Sequence, residues 1–316
     1  MCVKPREERV LVPASGQRRV GRGGPAGEQH APSLGLTVAE RTHRKLADLS
    51  PSELKVGRAL LAAYPAAGLG TVAEFAERAH VSAPTVLRFA SRIGFPSYPL
   101  FQQALIREVH EQLGSPLRRI SEPRSPAGAD GPLPSAAEAY QQVLSGTFGA
   151  LPDAEFSRAA ALLSDPRKRV HLLGGRLSRV LAAYLTTYLV RIRKDVSLVP
   201  ETEPERTATL LDLGRRDVLA VFDYRRYDPA IVRYAGQAAA RGAHLILFTD
   251  PWMSPAADVA EVVLPARVEA PSPFDSLVPA MAVVETLVAA VTEQIGADAR
   301  GRLAGYEQLS GPDTDG

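Results

Sequence analysis

The sequence predicts an all-α domain followed by an α/β doubly wound domain with a five-stranded parallel sheet. Three observations support this fold class. Apolar residues recur at helical spacing from Thr37 to about Leu113, and a stretch rich in glycine and proline follows. Beyond residue 135, five short β-rich runs alternate with amphipathic segments, which is typical of a parallel sheet with helices on both faces. The 316 residues, of which 45% are hydrophobic, suffice for two such domains.

The composition excludes several classes of protein. Cys2 is the single cysteine, so an internal disulfide framework and a cysteine-based metal cluster are excluded. The longest apolar run, Leu277–Val284, is far shorter than the roughly 18 residues of a membrane-spanning helix. Charges within the first 20 residues are unlike a signal peptide. We therefore expect a cytoplasmic protein that uses no membrane, metal or cofactor.

Residues 1–36 are predicted to form a basic, solvated tail. They contain six Lys or Arg, three Asp or Glu and ten Gly or Pro, without apolar periodicity. This segment carries +3, while the whole chain carries +2. We expect a disordered extension or an over-long gene start rather than a DNA-binding arm, so evidence for nucleic-acid binding must come from local charge.

A helix-turn-helix motif is predicted within the first domain, residues 37–113. Thr71-Val72-Ala73-Glu74 has the pattern of a capping box, in which the Thr hydroxyl and the Glu carboxylate each bind a backbone amide of the other. The helix turns through His80, a residue type that tolerates left-handed backbone. Ser82 then caps a second helix, with Pro84 in its first turn. This spacing is that of a helix-turn-helix.

The second helix of this motif has one apolar face and one cationic face. Its predicted core residues are Val86, Phe89, Ala90 and Ile93. From Ser82 to Arg107 there are three arginines and no acidic residue. We expect the outer face to enter a major groove of a double-stranded DNA operator. The predicted DNA-binding residues are Ser82, Thr85, Arg88 and Arg92.

The second domain is predicted over residues 136–296. Residues 114–135 include eight Gly or Pro and form the predicted linker, and residues 297–316 form a C-terminal tail. The predicted strands are Arg169–Leu173, Val196–Val199, Val218–Phe222, Leu245–Phe248 and Val259–Leu264. The predicted helices lie near 178–191, 203–212, 228–241, 254–257 and 275–295.

Ligands of open α/β sheets bind beyond the carboxyl ends of the strands. Three loops lie there, Gly174–Ser178, Asp223–Asp228 and Thr249–Trp252. The first loop precedes a helix, whose N-terminus favours an anion, and its glycines permit close approach of a ligand. We therefore expect an anion site at this edge of the sheet.

The segment Val81–Phe89, followed by Ile93-Gly94-Phe95 and Tyr98, resembles the N-terminal domain of MurR/RpiR-type bacterial transcriptional regulators. The resemblance covers Thr37 to about Leu309. It implies that residues 136–296 form a SIS domain, the sugar isomerase module, which binds a phosphorylated sugar.

The second loop departs from the family pattern. SIS domains that bind sugar phosphates usually have Ser-x-Ser-Gly-x-Thr there, whereas this chain has Asp223-Tyr224-Arg225-Arg226-Tyr227-Asp228. Either the two arginines clamp an anion, or the two aspartates neutralise them internally. A carboxylate, a nucleoside-like ligand stacked on a tyrosine, or no ligand also fit. The predicted ligand-binding residues are Gly174, Gly175, Arg176, Ser178, Asp223, Arg225, Arg226 and Thr249.

The predicted function is a DNA-binding transcriptional regulator whose SIS domain senses a metabolite. A two-fold operator implies a homodimer or tetramer. One alternative is a sugar-phosphate isomerase with a helical extension, for which His171, His244 and Glu285 are the available acid–base candidates. Another alternative is a ligand-blind DNA-binding protein whose SIS domain only dimerises. No catalytic residue is assigned.

Overall fold

The computed structural model describes residues 36–113, 120 and 131–310. The predicted tail, up to residue 35, lies outside the described residues. So does most of the predicted linker. The described residues, from Leu36 onward, belong to one compact unit.

Five helices form the N-terminal helical part. They are α1 (Val38–Lys45), α2 (Pro51–Ala62), α3 (Val72–Arg78), α4 (Ala83–Arg92) and α5 (Tyr98–Leu113). The predicted capping box at Thr71 and Glu74 is confirmed, and α1 and α2 begin with capping boxes of the same kind. Each box satisfies two backbone amides that a helix start otherwise leaves unpaired.

The turn between α3 and α4 has the predicted left-handed residue. His80 has φ 52°, and the Val81 amide after it donates to the Ala76 carbonyl at 2.9 Å. Ser82 occupies the N-cap position of α4 in extended conformation, and Pro84 lies in the first turn. The predicted cap is wrong in one respect, because the Ser82 hydroxyl makes no capping bond to a backbone amide and lies 3.0 Å from Thr85 Oγ1 instead. The structure therefore contains the helix-turn-helix that the spacing predicts.

Aromatic rings centre the helical part on Phe101 of α5. The rings of Phe75, Phe89, Phe95 and Tyr98 lie within 5.4–6.5 Å of the Phe101 ring. The predicted core residues of α4, including Phe89, are all buried in this cluster. This packing fixes the orientation of α4 and hence of its outer face.

The second part of the chain is an α/β fold with one parallel sheet. Its strands are β1 (Arg169–Gly174), β2 (Val196–Leu198), β3 (Asp217–Phe222), β4 (His244–Thr249) and β5 (Val262–Pro265), in the order β2-β1-β3-β4-β5. Every pairing is parallel, as predicted. The helices are α6 (Pro132–Ala150), α7 (Asp153–Ser164), α8 (Arg179–Ile192), α9 (Glu203–Asp212), α10 (Pro229–Ala240), α11 (Val278–Ile295) and α12 (Ala297–Ser310).

Alternate strand residues supply the two faces of the sheet. Leu172, Ala220 and Phe222 pack against α7, α8 and α11, whereas Leu219 and Val221 pack against α10. Helix α11 is long and apolar enough to cross a membrane by length and composition. Its buried residues contribute instead to the core on the first face.

The structure corrects the predicted boundaries at two places. Helix α6 begins at Pro132, inside the predicted linker. Prolines are tolerated in its first turn, because the backbone amides there have no partner within the helix. The predicted C-terminal tail contains helix α12 up to Ser310. Ala299 is buried in the core, and Arg302 Nε donates to the Val190 carbonyl at 2.9 Å. Its small apolar contact surface gives no periodic signal in the sequence.

The helical part packs directly on the α/β part. Ala39 of α1 is fully buried in the apolar core between the sheet and α10, and Leu61 and Tyr64 pack against the same core. The two parts therefore share apolar core and do not depend on the linker alone for their association.

Candidate DNA-binding surface and effector site

The outer face of α4 presents two arginines to solvent. Arg88 and Arg92 are exposed, as predicted, and so is Ser82. Leu87 and Ser91 share this exposed face, although sequence reasoning did not include them. Arginine side chains contact phosphates and guanine edges, so this face has the chemistry of a major-groove reader.

Thr85 does not lie on the exposed face. Its side chain is buried, with 4% of the residue exposed, and its Oγ1 accepts a hydrogen bond from Arg88 Nη2 at 3.0 Å. The Ser82 hydroxyl lies 3.0 Å from the same oxygen. The predicted stripe was wrong at this position because four residues turn a helix by about 400°, which places Thr85 only about 40° from the buried Phe89.

Arg92 lies beside a buried carboxylate of α2. Its Nε is 3.9 Å from Glu53 Oε1, and the Glu53 side chain is 5% exposed. Hydrogen bonds from Ser50 lower the pKa of Glu53, and the charges of Arg92 and Arg88 contribute in the same direction. Glu53 is therefore a buried anion beside the exposed Arg92.

The three predicted ligand loops meet at the carboxyl edge of the sheet. Ser178 Oγ donates to the Phe222 carbonyl at 2.6 Å and accepts from the Gly175 amide at 3.0 Å. The Asp223 amide donates to the Phe248 carbonyl at 3.0 Å. Because β1 and β3 are neighbours while their connections run to opposite sides, this edge is the switch point where ligands of such folds bind.

The first loop is tightly packed. A Cβ on Gly174 would lie 2.6 Å from Arg179 Cα, so only glycine fits where α8 begins. Ser178 is buried and bonded within the protein, while Arg176 is exposed. Arg176 is thus the charged side chain of this loop that faces solvent, beside the exposed Leu177.

The aspartates of the second loop bind backbone and hydroxyl groups. Asp223 is buried and accepts from Ser254 Oγ at 2.5 Å and from the Asp228 amide at 3.2 Å. Burial raises its pKa to about 6. Asp228 caps α10 by accepting from the Ala230 amide at 2.8 Å. Among the described residues neither aspartate pairs with an arginine, which contradicts the alternative in which these aspartates neutralise the two arginines.

The two arginines of this loop have different environments. The Arg225 side chain is 4% exposed, lies 3.4 Å from an Asp275 carboxylate oxygen and has its guanidinium 5.2 Å from the Trp252 ring centroid. Arg226 is exposed and has φ 69°. A clamp made of both side chains therefore stays a prediction, because Arg226 is exposed while Arg225 is buried.

Asp250 is a central residue of the site that sequence reasoning missed. It is fully buried and accepts hydrogen bonds from Tyr227 OH at 2.7 Å and from the amides of Arg225 and Trp252 at 2.5 and 3.0 Å. Burial raises its pKa to about 7. The predicted Thr249 is also buried and accepts from the Ser254 amide. An acidic residue directly after β4, at the ligand edge, was the available signal.

The candidate isomerase residues do not meet at this edge. His244 begins β4, at the opposite end of the sheet, and lies 2.6 Å from a Glu261 carboxylate oxygen. Glu285 accepts a hydrogen bond from Tyr184 on the outside of α11. The structure brings no pair of these three candidates together as acid and base.

His171 belongs to a hydrogen-bonded row that no sequence motif indicates. Ser197 Oγ lies 3.0 Å from His171 Nδ1, and His171 Nε2 lies 3.2 Å from Asp217 Oδ1. Arg169 donates twice to the same carboxylate, at 2.7 and 2.8 Å. Burial lowers the pKa of His171. Because Arg169 also binds the Asp217 carboxylate, these hydrogen bonds connect β2, β1 and β3 near their N-terminal ends.

Comparisons with known proteins give a family match for the α/β part and a similar transcriptional regulator for most of the chain. The SIS domain family matches residues 162–290. The HTH-type transcriptional regulator HexR of Pseudomonas aeruginosa is 25% identical over 273 residues, which cover 83% of this chain and 91% of HexR.

Two solved structures share the fold. The sugar isomerase domain of an RpiR transcription factor from Sphaerobacter thermophilus has a TM-score of 0.53 and 23% identity, and covers 56% of this chain and 98% of that domain. Vibrio vulnificus NanR, solved in complex with ManNAc-6P, has a TM-score of 0.50 and 16% identity, and covers 86% of this chain and 97% of NanR.

Proposed function

We propose that the chain is an RpiR-type transcriptional regulator, with a helix-turn-helix followed by a SIS domain, and that it binds a two-fold DNA operator through α4. An anionic sugar derivative bound at the carboxyl edge of the sheet regulates this binding. The regulator works in the cytoplasm as a homodimer or tetramer, because two half-sites need two recognition helices.

The observation that carries the DNA-binding proposal is the exposed face of α4. Arg88 and Arg92 project from a helix whose other face is buried around Phe101. Thr85 binds the first arginine, and Glu53 lies beside the second. Side chains that are held before binding lose less conformational entropy when they contact DNA.

The effector proposal is supported by charge at the carboxyl edge. Arg176 and Arg226 are exposed there, and the first turn of α8 adds the positive end of a helix dipole. The sugar phosphate in the NanR complex is an anion of the kind that such groups bind. The loop Asp223–Asp228 lacks the Ser and Thr hydroxyls of the family pattern. We therefore propose an anionic sugar derivative and do not restrict it to a sugar phosphate.

An isomerase is the second candidate function. It is favoured by the SIS match, because that module takes its name from sugar isomerases. The separation of His171, His244 and Glu285 favours the regulator, because isomerisation needs an acid and a base beside one sugar.

Selection of binding sites from random duplex DNA with the full chain tests the proposal. We expect an enriched palindromic sequence whose binding weakens with salt. Titration of that complex with sugar phosphates and sugar acids should then identify an anion that changes operator affinity. Failure to enrich any sequence would contradict the regulator and leave an isomerase assay on the same sugars as the next measurement.

A further inference from the structure

A row of hydrogen bonds, most of them partly buried, links the second ligand loop to the first helix of the helical part, and we propose that it transmits effector occupancy to the helix-turn-helix. This inference rests on the proposed function. It places the coupling between the effector site and the helical part at the adjacent residues Asp250 and Pro251. The row begins at Asp250, where the Tyr227 hydroxyl and the Arg225 amide both donate to the carboxylate. These two loop residues flank the exposed Arg226.

The link crosses to the helical part at the next residue. The Pro251 carbonyl accepts a hydrogen bond from Thr37 Oγ1 at 2.5 Å, although the two residues are far apart in sequence. Thr37 is the N-cap of α1, and its side chain also accepts from the Glu40 amide. A shift of the Pro251 carbonyl therefore acts directly on the start of α1.

The start of α1 is in turn tied to α5 and to the segment after α2. The Val38 amide donates to Glu108 Oε1 at 2.8 Å, and Tyr64 OH donates to Glu108 Oε2. Glu108 lies on α5, the helix that carries Phe101 beneath α4. The row thus reaches the element that orients the recognition helix.

Two charged residues, Glu40 and Arg267, lie close to the contact between Thr37 and Pro251. Glu40 of α1 is buried, and its pKa is raised by that burial while Thr37 and the charge of Arg267 oppose the rise. Arg267 follows β5, and its amide donates to Thr147 of α6. The contact between Thr37 and Pro251 is therefore closely packed, so a displacement of the loop after β4 is expected to displace the start of α1.

The coupling has a direct consequence for an anion that binds Arg226. Arg226 has left-handed backbone, between two residues that both bind Asp250. A ligand that turns this residue changes the bonds to Asp250 and hence the position of Pro251. Its effect on DNA binding is set by the difference in its affinity for the two arrangements.

Hydrogen exchange of the full chain, without DNA or ligand, tests the coupling. Tyr227→Phe removes the hydroxyl donor to Asp250 and should speed exchange of the amides in 36–45 on the order of fivefold, because the link to α1 is weakened. The matched control is Tyr234→Phe, since Tyr234 OH is buried without a partner among the described residues. It should leave α1 unchanged.

Unchanged exchange of α1 in Tyr227→Phe, or an equal increase in both variants, would overturn the proposal. If Tyr227→Phe fails to fold, the test is made from the other end. Coupling is reciprocal, so Thr37→Val should speed exchange of residues 223–228, while Thr37→Ser should restore the parent rate. Parent exchange of that loop in Thr37→Val would also overturn it.

These outcomes are independent of operator binding. A chain that selects no DNA sequence can still show the exchange coupling. That result would contradict the proposed regulator function and support the coupling between the loop and α1. A chain that selects an operator but shows no coupling keeps the proposed function and loses only this inference.

Discussion

Arg88 Nη2 donates a hydrogen bond of 3.0 Å to the buried hydroxyl of Thr85, one turn earlier on α4. The Ser82 hydroxyl lies 3.0 Å from the same oxygen. The arginine is thus held at the edge of the recognition face by a side chain that is itself inaccessible. We therefore propose that Thr85 acts on DNA recognition by positioning Arg88 and not by contacting a base.

Replacing Thr85 by valine should weaken operator binding by about three- to tenfold, because Arg88 loses the hydrogen bond that orients its guanidinium. Valine keeps the shape of the buried side chain. Thr85→Ser keeps the hydroxyl and should bind operator nearly as the parent does. Fluorescence anisotropy on the selected operator measures both. Parent affinity in Thr85→Val, with an unchanged melting temperature, would refute the positioning role.

The packing of the first loop predicts a difference between neighbouring glycines. Gly174→Ala should lower the free energy of unfolding by about 1–3 kcal/mol, because the new Cβ meets the backbone of Arg179 at 2.6 Å. Gly175→Ala is the control, since its Cβ would lie an ordinary 3.5 Å from Ser178 Oγ. Urea unfolding of the two variants tests the prediction. Equal stabilities would contradict the close approach of α8 to β1.

The buried carboxyl of Asp250 predicts a pH dependence of stability. Its pKa is raised from 3.8 to about 7 by burial, so the folded state keeps a proton that the unfolded state has lost. This contribution is fully present below about pH 4 and is lost as pH rises through about 7, with a slope of up to about 1.4 kcal/mol per pH unit.

Asp250→Asn should therefore flatten the fall in unfolding free energy between about pH 5 and pH 7. Asp223 contributes a similar fall that ends near its pKa of about 6, so the variant should keep part of the slope. Urea unfolding at several pH values measures the change. A slope identical to that of the parent would show that Asp250 is ionised in the folded protein.

The two loop arginines should separate stability from ligand binding. Arg225→Ala should destabilise the protein by about 1–3 kcal/mol without ligand, because it removes a buried cation from Asp275 and Trp252. Arg226→Ala should change stability by less than about 0.5 kcal/mol. It should instead abolish the rise in melting temperature caused by an anionic sugar. A retained ligand shift in Arg226→Ala would move the anion site to Arg176.

Local signals in the sequence account for most of the fold. The capping box at Thr71, the left-handed His80 and the β-rich strands each depend on neighbouring residues, and all were predictable. Helix α12 was missed because its association depends on a contact between Arg302 and the end of α8. That contact has no local pattern.

The site was predicted less completely because its bonds join distant residues. The loop edges followed from strand order, but the partners of Arg225 and of Asp223 lie on other loops, at Asp275 and Ser254. Thr85 was misplaced although helical periodicity puts it only about 40° from the buried Phe89, and its hydrogen bond to the exposed Arg88 has no signal in the sequence.

Operator affinity of the double variant Arg88→Ala with Arg92→Ala tests the central claim most directly. Each lost base-edge contact should cost about 1–3 kcal/mol, so the double variant should bind the selected operator at least about tenfold more weakly. Arg215→Ala with Arg216→Ala removes the same charge from an exposed site in the α/β part and should bind nearly as the parent does. Equal affinities of the two double variants would contradict recognition by α4.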